Sequence, residues 1–105
     1  MAKDILEKDF ALEVMQSELP VLIDFYAPWC GPCKLVAPML EEISKERTTL
    51  KIVKVDVDQA PALAQQHRVM SVPTLVLYKA GKVVGTWVGL RPKPMLLGDI
   101  DKALV

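Results

Sequence analysis

The chain has 105 residues, 51% of them hydrophobic, and its 13 basic residues balance its 13 acidic residues. This length and composition suit one globular domain with a core of its own. A net charge of zero argues against nucleic acid or an anionic membrane as the partner, because both favour a basic surface. We therefore expect residues 1–105 to form a single domain that acts as a monomer.

The beginning of the sequence does not resemble a targeting segment. Charged residues interrupt the first nine positions, so the apolar stretch of a secretory signal is missing there. No apolar run in the sequence approaches the roughly 20 residues of a membrane-spanning helix. The sequence thus predicts a cytoplasmic protein. In such a reducing compartment, two cysteines are more often catalytic or metal-binding than joined in a static disulfide.

The first half of the chain predicts two strands and two helices. Residues 3–6 fit a short edge strand, and residues 8–17 fit a helix that Pro20 ends. The run Val21–Ala27 is almost entirely apolar, as in a strand buried on both faces, and Asp24 is its one interruption. A helix is predicted over Cys33–Arg47, with a kink at Pro38, which lacks an N–H group.

The second half predicts three more strands and two more helices. Residues 51–57 alternate as a strand does, and residues 60–67 fit a short helix with Pro61 in its first turn. Residues 75–79 and 83–88 flank the turn Ala80-Gly81 and predict a β-hairpin. A final helix contains Leu96 and Ile100. The predicted order is βαβαβαββα, an α/β protein with one mixed sheet of five strands and helices on both faces.

Both cysteines lie in the stretch Trp29-Cys-Gly-Pro-Cys-Lys34, between a predicted strand and a predicted helix. Residues three apart at a helix start have Cα atoms about 5–5.5 Å apart, which a disulfide accepts. Cys30 precedes the helix, where free N–H groups and the helix dipole favour a thiolate and lower the thiol pKa. Cys33 is expected to point inward as a thiol, and Gly31-Pro32 to tune the reduction potential.

Three other interpretations of the cysteine pair are open. A C-x-x-C motif is half of a tetrahedral zinc site, but the sequence has no second cysteine pair, and its only histidine, His67, is distant along the chain. A static disulfide conflicts with a reducing compartment. Chance spacing is disfavoured by the position of the pair between strand and helix.

Asp24 is the second candidate functional residue. A carboxyl group in a buried strand is costly without a partner or a role, and burial raises its pKa. The functional interpretation is a base that deprotonates Cys33, through a water molecule. The structural interpretation is a buried charge paired with Lys54 on a neighbouring strand. The two are compatible, and the clustering of perturbed groups at active sites favours the functional one.

Pro73 is the third. The Val72–Pro73 bond precedes a predicted strand and is therefore a candidate cis peptide bond. Because only about 5–6% of X-Pro bonds are cis, spacing alone favours an ordinary trans turn.

Together these motifs resemble the bacterial thioredoxins over essentially the whole chain. The resemblance rests on Trp29–Lys34, Asp24 within its apolar run, Pro38, Val55-Asp-Val-Asp58, Ser71-Val-Pro-Thr74, Gly81 and Gly89. It implies the thioredoxin fold and a cis Pro73 facing the cysteines, which reverses the expectation from spacing. It also implies a substrate groove, in which the residue before the cis proline pairs with a substrate strand through its backbone. The groove residues are Trp29, Ser71, Val72, Pro73, Val88, Gly89 and Leu90.

The resemblance also implies a function. Cys30 is expected to attack disulfides in target proteins and Cys33 to resolve the mixed disulfide. The expectation that Lys54 tunes Asp24 comes from the residues themselves and not from the resemblance. No cofactor or metal is needed in the chain itself, and NADPH supplies electrons through a thioredoxin reductase. An oxidant or isomerase of the same fold and a redox-independent binding module are the alternatives. Tyr26 and Pro28 depart from the commonest thioredoxin pattern, which has Trp and a polar residue there.

Overall fold

A five-stranded mixed sheet forms the centre of the computed structural model, which describes residues 2–105. Its strands are β1 (Lys3–Asp4), β2 (Val21–Tyr26), β3 (Lys51–Asp56), β4 (Thr74–Lys79) and β5 (Lys82–Val88). The α-helices are α1 (Gly31–Glu46), α2 (Pro61–Gln66) and α3 (Lys93–Ala103). All five strands predicted from the sequence are present, with bounds that differ by one or two residues.

The strands lie in the order β1-β3-β2-β4-β5. β1, β3 and β2 run parallel, and β4 and β5 are antiparallel to their neighbours. β2 is therefore central, and its residues pair on one side with β3 and on the other with β4. This position explains its apolar sequence, since both of its faces are covered.

Alternation along β2 distributes its side chains between two cores. Ile23 and Phe25 face the core that contains Val14 and Leu63 of α2. Leu22 faces the opposite core, which α1 and α3 cover. Because side chains two apart in a strand share a face, Asp24 and Tyr26 point to the same side as Leu22, under α1.

The N-terminal helical segment is less regular than the predicted helix over residues 8–17. It consists of a 3₁₀ turn (Glu7–Asp9) and a π-helical turn (Ala11–Met15), in which the Gln16 N–H donates to the Ala11 carbonyl. The Glu13 carbonyl, which residue 17 would use in a continuing α-helix, accepts instead from Lys51 Nζ at 2.8 Å. A tertiary contact thus replaces a helical hydrogen bond.

Helix α1 begins at Gly31, two residues before the predicted start, because Pro32 fits the first turn and Cys30 is the N-cap. The helix continues through Pro38 to Glu46. Among residues 2–105, no helix is both long and apolar enough to cross a membrane.

Candidate active site

The two cysteines form a disulfide at the start of α1. Cys30 and Cys33 are joined, with their Cα atoms 5.3 Å apart, in agreement with the sequence estimate. The Cys30 sulfur accepts a hydrogen bond from the Cys33 N–H at 3.2 Å, as an N-cap side chain does. A thiolate at this position would accept the same hydrogen bond and would be stabilised by the positive end of the helix dipole. Both residues are buried in this oxidised state, whereas Gly31 and Pro32 are exposed.

The loop before β4 reaches the disulfide from the side. The Val72–Pro73 bond is cis, as the resemblance implied. The Val72 carbonyl oxygen lies 3.6 Å from the Cys30 sulfur, and the Pro73 carbonyl accepts from the Gly89 N–H at 2.8 Å. A further hydrogen bond joins the Thr74 hydroxyl to the Ser71 carbonyl. This loop and the end of β5 are therefore held together beside Cys30.

An apolar surface surrounds this point. Trp29, Val88 and Leu90 are all at least half exposed, although exposed large apolar side chains are costly in water. Trp29, Ser71 and Val72 also line a shallow pocket of about 180 Å³. Trp29, Ser71 and Val72 thus lie together beside Cys30, and the hydrogen bond between Pro73 and Gly89 brings the end of β5 to the same loop. The role of the expected groove residues in binding stays a prediction.

Two residues at this surface were not among the predicted site residues. Met70 is 93% exposed and lines the same pocket as Trp29. Asp58 accepts a hydrogen bond from the Trp29 indole N–H at 3.1 Å and so fixes the ring. A signal for Asp58 was available, because β2 and β3 are parallel and the residues that follow them meet at one edge of the sheet.

Asp24 is fully buried beneath α1, at 0% exposure. Neither of its carboxylate oxygens has a hydrogen-bond partner among residues 2–105. The pKa of Asp24 is raised from 3.8 to about 6, mainly by burial; Lys54 opposes this rise, and Asp4 adds to it. A carboxyl group with this pKa exchanges protons near neutral pH, as the sequence analysis expected.

A cavity of about 130 Å³ connects Asp24 to Cys33. Lys54, Lys34 and Tyr26 also line it, whereas Cys30 does not. The cavity is large enough for a few water molecules, each of which occupies about 30 Å³ in the liquid. The two cysteines therefore differ in surroundings: Cys30 adjoins the Val72 loop, and Cys33 adjoins the cavity of Asp24.

Lys54 lies next to Asp24 in the sheet, since the two residues are paired in register between β2 and β3. Within the described chain, however, the two side chains form no ion pair at 4.0 Å or less. Lys54 Nζ lies instead over the Tyr26 ring, 4.7 Å from its centroid. The interpretation of Asp24 as one half of a direct ion pair is therefore wrong in this state, although Lys54 acts on it at longer range.

No group of three or more His, Cys, Asp and Glu side chains within residues 2–105 is arranged to hold a metal ion. A structural zinc site requires four ligands, and Cys30 and Cys33 supply two. The cysteine pair has the geometry of a reversible disulfide, with both sulfurs in the same chain.

The sequence model of the thioredoxin family matches residues 2–102. The chain belongs to the thioredoxin family. Thioredoxin 1 of Synechococcus elongatus is 44% identical over 105 residues, which cover 99% of this chain and 98% of that protein. The thioredoxin of Mycobacterium bovis is 48% identical over 98 residues, 92% of this chain and 84% of its own length. The thioredoxin of Rickettsia felis is 41% identical over 105 residues, which cover 99% of this chain and 100% of that protein.

Membership of the family accounts for the architecture and the chemistry together. The mixed sheet, with helices on both faces, is the thioredoxin fold that the resemblance implied. Thioredoxins are thiol–disulfide oxidoreductases, and this chain carries the redox-active cysteine pair of such an enzyme. The redox group is part of the protein itself, and a thioredoxin needs no separate cofactor.

Proposed function

We propose that this protein is a general protein-disulfide reductase in which Cys30 attacks and Cys33 resolves. The observation that carries the proposal is the disulfide at the start of α1, with the Val72 loop beside one sulfur and the Asp24 cavity beside the other. In the net reaction, the dithiol form gives two electrons and two protons to a target disulfide. The target leaves as a dithiol, and the protein keeps the Cys30–Cys33 disulfide.

The first step is attack by the Cys30 thiolate on one sulfur of the target disulfide. A bond forms between Cys30 and that sulfur, and the other target sulfur leaves as a thiolate. Trp29 and Leu90 provide apolar contact for the target, and the backbone of Val72 offers hydrogen bonds to an extended segment. Ser71, Pro73, Val88 and Gly89 complete this groove.

In the second step Cys33 attacks Cys30 and releases the reduced target. Cys33 must first lose its proton, and Asp24 lies across the cavity from it. We infer that Asp24 accepts this proton through water in the cavity, because a pKa of about 6 leaves the carboxylate ionised at neutral pH. Since this pKa is close to neutral pH, Asp24 can also release the proton again. Gly31 and Pro32 tune the potential of the pair, and Lys54 tunes Asp24.

The partners follow from the reaction. The oxidised protein must regain two electrons, and we propose that NADPH supplies them through a thioredoxin reductase. Disulfide-containing proteins are the targets. We place the reaction in the cytoplasm, where thiols are kept reduced. We also propose that the chain acts as a single-domain monomer, since helix α1 and the loops that carry the site surround one continuous sheet of the same chain.

Reduction of insulin disulfides by NADPH and a thioredoxin reductase tests the function. The wild-type protein should support turnover, and Cys30→Ser should abolish it because no mixed disulfide forms. Cys33→Ser should form the mixed disulfide and retain it, so target proteins should remain bound until an external thiol is added. Full turnover in both variants would contradict the roles of the two cysteines. Binding of target proteins by the wild type without any turnover would instead indicate a redox-independent binding module.

The equilibrium with glutathione tests the other alternative. The dithiol–disulfide couple of a reductase has a low reduction potential, so the Cys30–Cys33 disulfide should resist reduction by glutathione. A potential as oxidising as that of a disulfide isomerase would instead identify an oxidant or isomerase of the same fold.

The role of Asp24 has its own test in single-turnover kinetics. Asp24→Asn removes the proton acceptor, so it should slow release from the mixed disulfide by about 100-fold at neutral pH, at the lower end of general base effects. Formation of the mixed disulfide by Cys30 should change much less. Equal slowing of both steps would contradict the role of Asp24 as a base for Cys33.

A further inference from the structure

Three charged residues lie in one row across the parallel strands. Asp24 on β2 is paired in register with Lys54 on β3, and Lys54 is paired with Asp4 on β1. Residues in register on adjacent strands share a face of the sheet. The Lys54 side chain therefore has a carboxylate on each side, yet among residues 2–105 it forms an ion pair of 4.0 Å or less with neither.

Tyr26 explains this arrangement. Its hydroxyl donates a hydrogen bond of 2.6 Å to Asp4 Oδ1, and its ring lies under the Lys54 ammonium group. Burial and the contact with Asp4 raise the pKa of the Tyr26 phenol, so it stays protonated and remains a donor. The residue thus supplies a donor for one carboxylate and an aromatic surface for the cation.

We propose that Tyr26 and Asp4 are positioning residues that control how much of the Lys54 charge reaches Asp24. By donating to Asp4, Tyr26 keeps that carboxylate from capturing Lys54. The ammonium group stays on the ring, near Asp24 but not bonded to it. Asp24 then keeps enough basicity to accept a proton and enough positive charge nearby to hold its anion. This proposal rests on the proposed role of Asp24 in resolving the mixed disulfide.

Among the groups that face Asp24, Lys54 is the charged side chain whose position can change the pKa of Asp24. Helix α1 contributes Cys33 and Lys34 to the cavity, and β4 places the apolar Leu75 opposite Asp24. Asp56, next along β3, faces Tyr26 across the strand pair. Of the two lysines that line the cavity, Lys54 is the one that lowers the pKa of Asp24, and Asp4 opposes this effect by raising it.

Two substitutions should move the pKa of Asp24 in opposite directions. Tyr26→Phe keeps the ring but frees Asp4 to draw Lys54 away, so the pKa should rise from about 6. Asp4→Asn removes the competing charge and lets Lys54 approach Asp24, so the pKa should fall. Each change should be about half a pH unit, because moving a unit charge by one or two ångströms at a separation near 5 Å has an effect of that order at an effective dielectric constant near 20.

The measurement is a carboxyl ¹³C NMR titration of Asp24 in the oxidised protein, where no cysteine titrates. Tyr78→Phe is the matched control, because it removes a phenol hydroxyl that bonds to His67 on the other face of the sheet. It should leave the titration of Asp24 unchanged. Tyr26→Phe in a Lys54→Met background should also have no effect, since the proposal acts entirely through Lys54.

Loss of packing alone predicts a different result. A loosened site would admit water to Asp24, and its pKa would then fall in Tyr26→Phe and Asp4→Asn alike. Changes in the same direction, no change in either variant, or an effect of Tyr26→Phe that persists without Lys54 would each overturn the proposal. The acidic limb of the pH profile for release from the mixed disulfide should follow the NMR values. Should Asp24→Asn leave release unaffected, the base role would fail, whereas the titrations would still decide the positioning.

Discussion

Replacing Asp24 by Asn should stabilise the protein at neutral pH. In the folded state the pKa of Asp24 is about 6 rather than 3.8, so the folded protein binds this proton more tightly than the unfolded chain does. The difference between 3.8 and about 6, multiplied by 1.36 kcal/mol for each pKa unit, is about 3 kcal/mol. This is the free energy that ionising Asp24 costs the folded state.

The sign of the pH dependence follows from the raised pKa. Below about pH 4 the group is protonated in both states, so it costs nothing. Between pH 4 and pH 6 the unfolded chain loses the proton first, and the stability contributed by this group falls. Above pH 6 the cost is complete. Asn resembles the neutral acid, so Asp24→Asn should equal the wild type near pH 4 and exceed it by up to about 3 kcal/mol at pH 8.

Urea unfolding of the oxidised proteins from pH 4 to pH 8, followed by far-ultraviolet circular dichroism, measures this difference. Asp101→Asn is a useful control, because the Arg47 guanidinium lowers the pKa of Asp101. That variant should be less stable than the wild type at neutral pH, and its deficit should shrink on acidification. A stability difference for Asp24→Asn that is the same at pH 4 and pH 8, or a less stable variant at pH 8, would refute the reasoning.

Two further predictions concern packing and turns. Leu40→Ala should cost about 2–5 kcal/mol in urea unfolding, because Leu40 is fully buried on the inner face of α1, whereas Leu35→Ala on the exposed side of the same helix should cost less than 1 kcal/mol. Comparable losses would mean that the two faces of α1 are not distinguished by burial. Gly81→Ala should destabilise by about 1 kcal/mol, since Gly81 has a φ of +77° in the hairpin turn. Gly98→Ala should stabilise by about 0.5–1 kcal/mol, since Gly98 lies inside α3 with open space beside it. The reverse order of these two glycine variants would contradict this account.

Local sequence patterns were sufficient for most of the fold. The apolar run of β2, the alternation of β3 and the Ala80-Gly81 turn each depend on neighbouring residues, so their positions could be predicted to within one or two residues. The regular helix expected over residues 8–17 was wrong in its geometry, because the hydrogen bond from Lys51 to the Glu13 carbonyl comes from a distant strand. Such a contact leaves no local pattern.

The candidate site was likewise predictable only in part from the sequence. The cysteine pair and the buried Asp24 could be recognised from the sequence because they are unusual where they stand. The link between Asp4 and Tyr26 could not, since it requires β1 to lie beside β3, about fifty residues away in the chain. Likewise, the sequence offered an ion pair between Lys54 and Asp24 as the structural alternative, whereas the Lys54 side chain lies over the Tyr26 ring, which only the folded sheet brings beneath it.

The central position of β2 also determines when the site is assembled during protein synthesis. The surroundings of Asp24 are incomplete until β4 pairs with β2, and β4 begins about forty residues after Cys33. At about 5–20 residues per second, the ribosome needs about 2–8 s to add them. For that interval the nascent chain carries both thiols without the strand that completes their surroundings. Oxidation at this stage would join residues only three apart, so it would close a very small loop and leave the later pairing of the strands unobstructed.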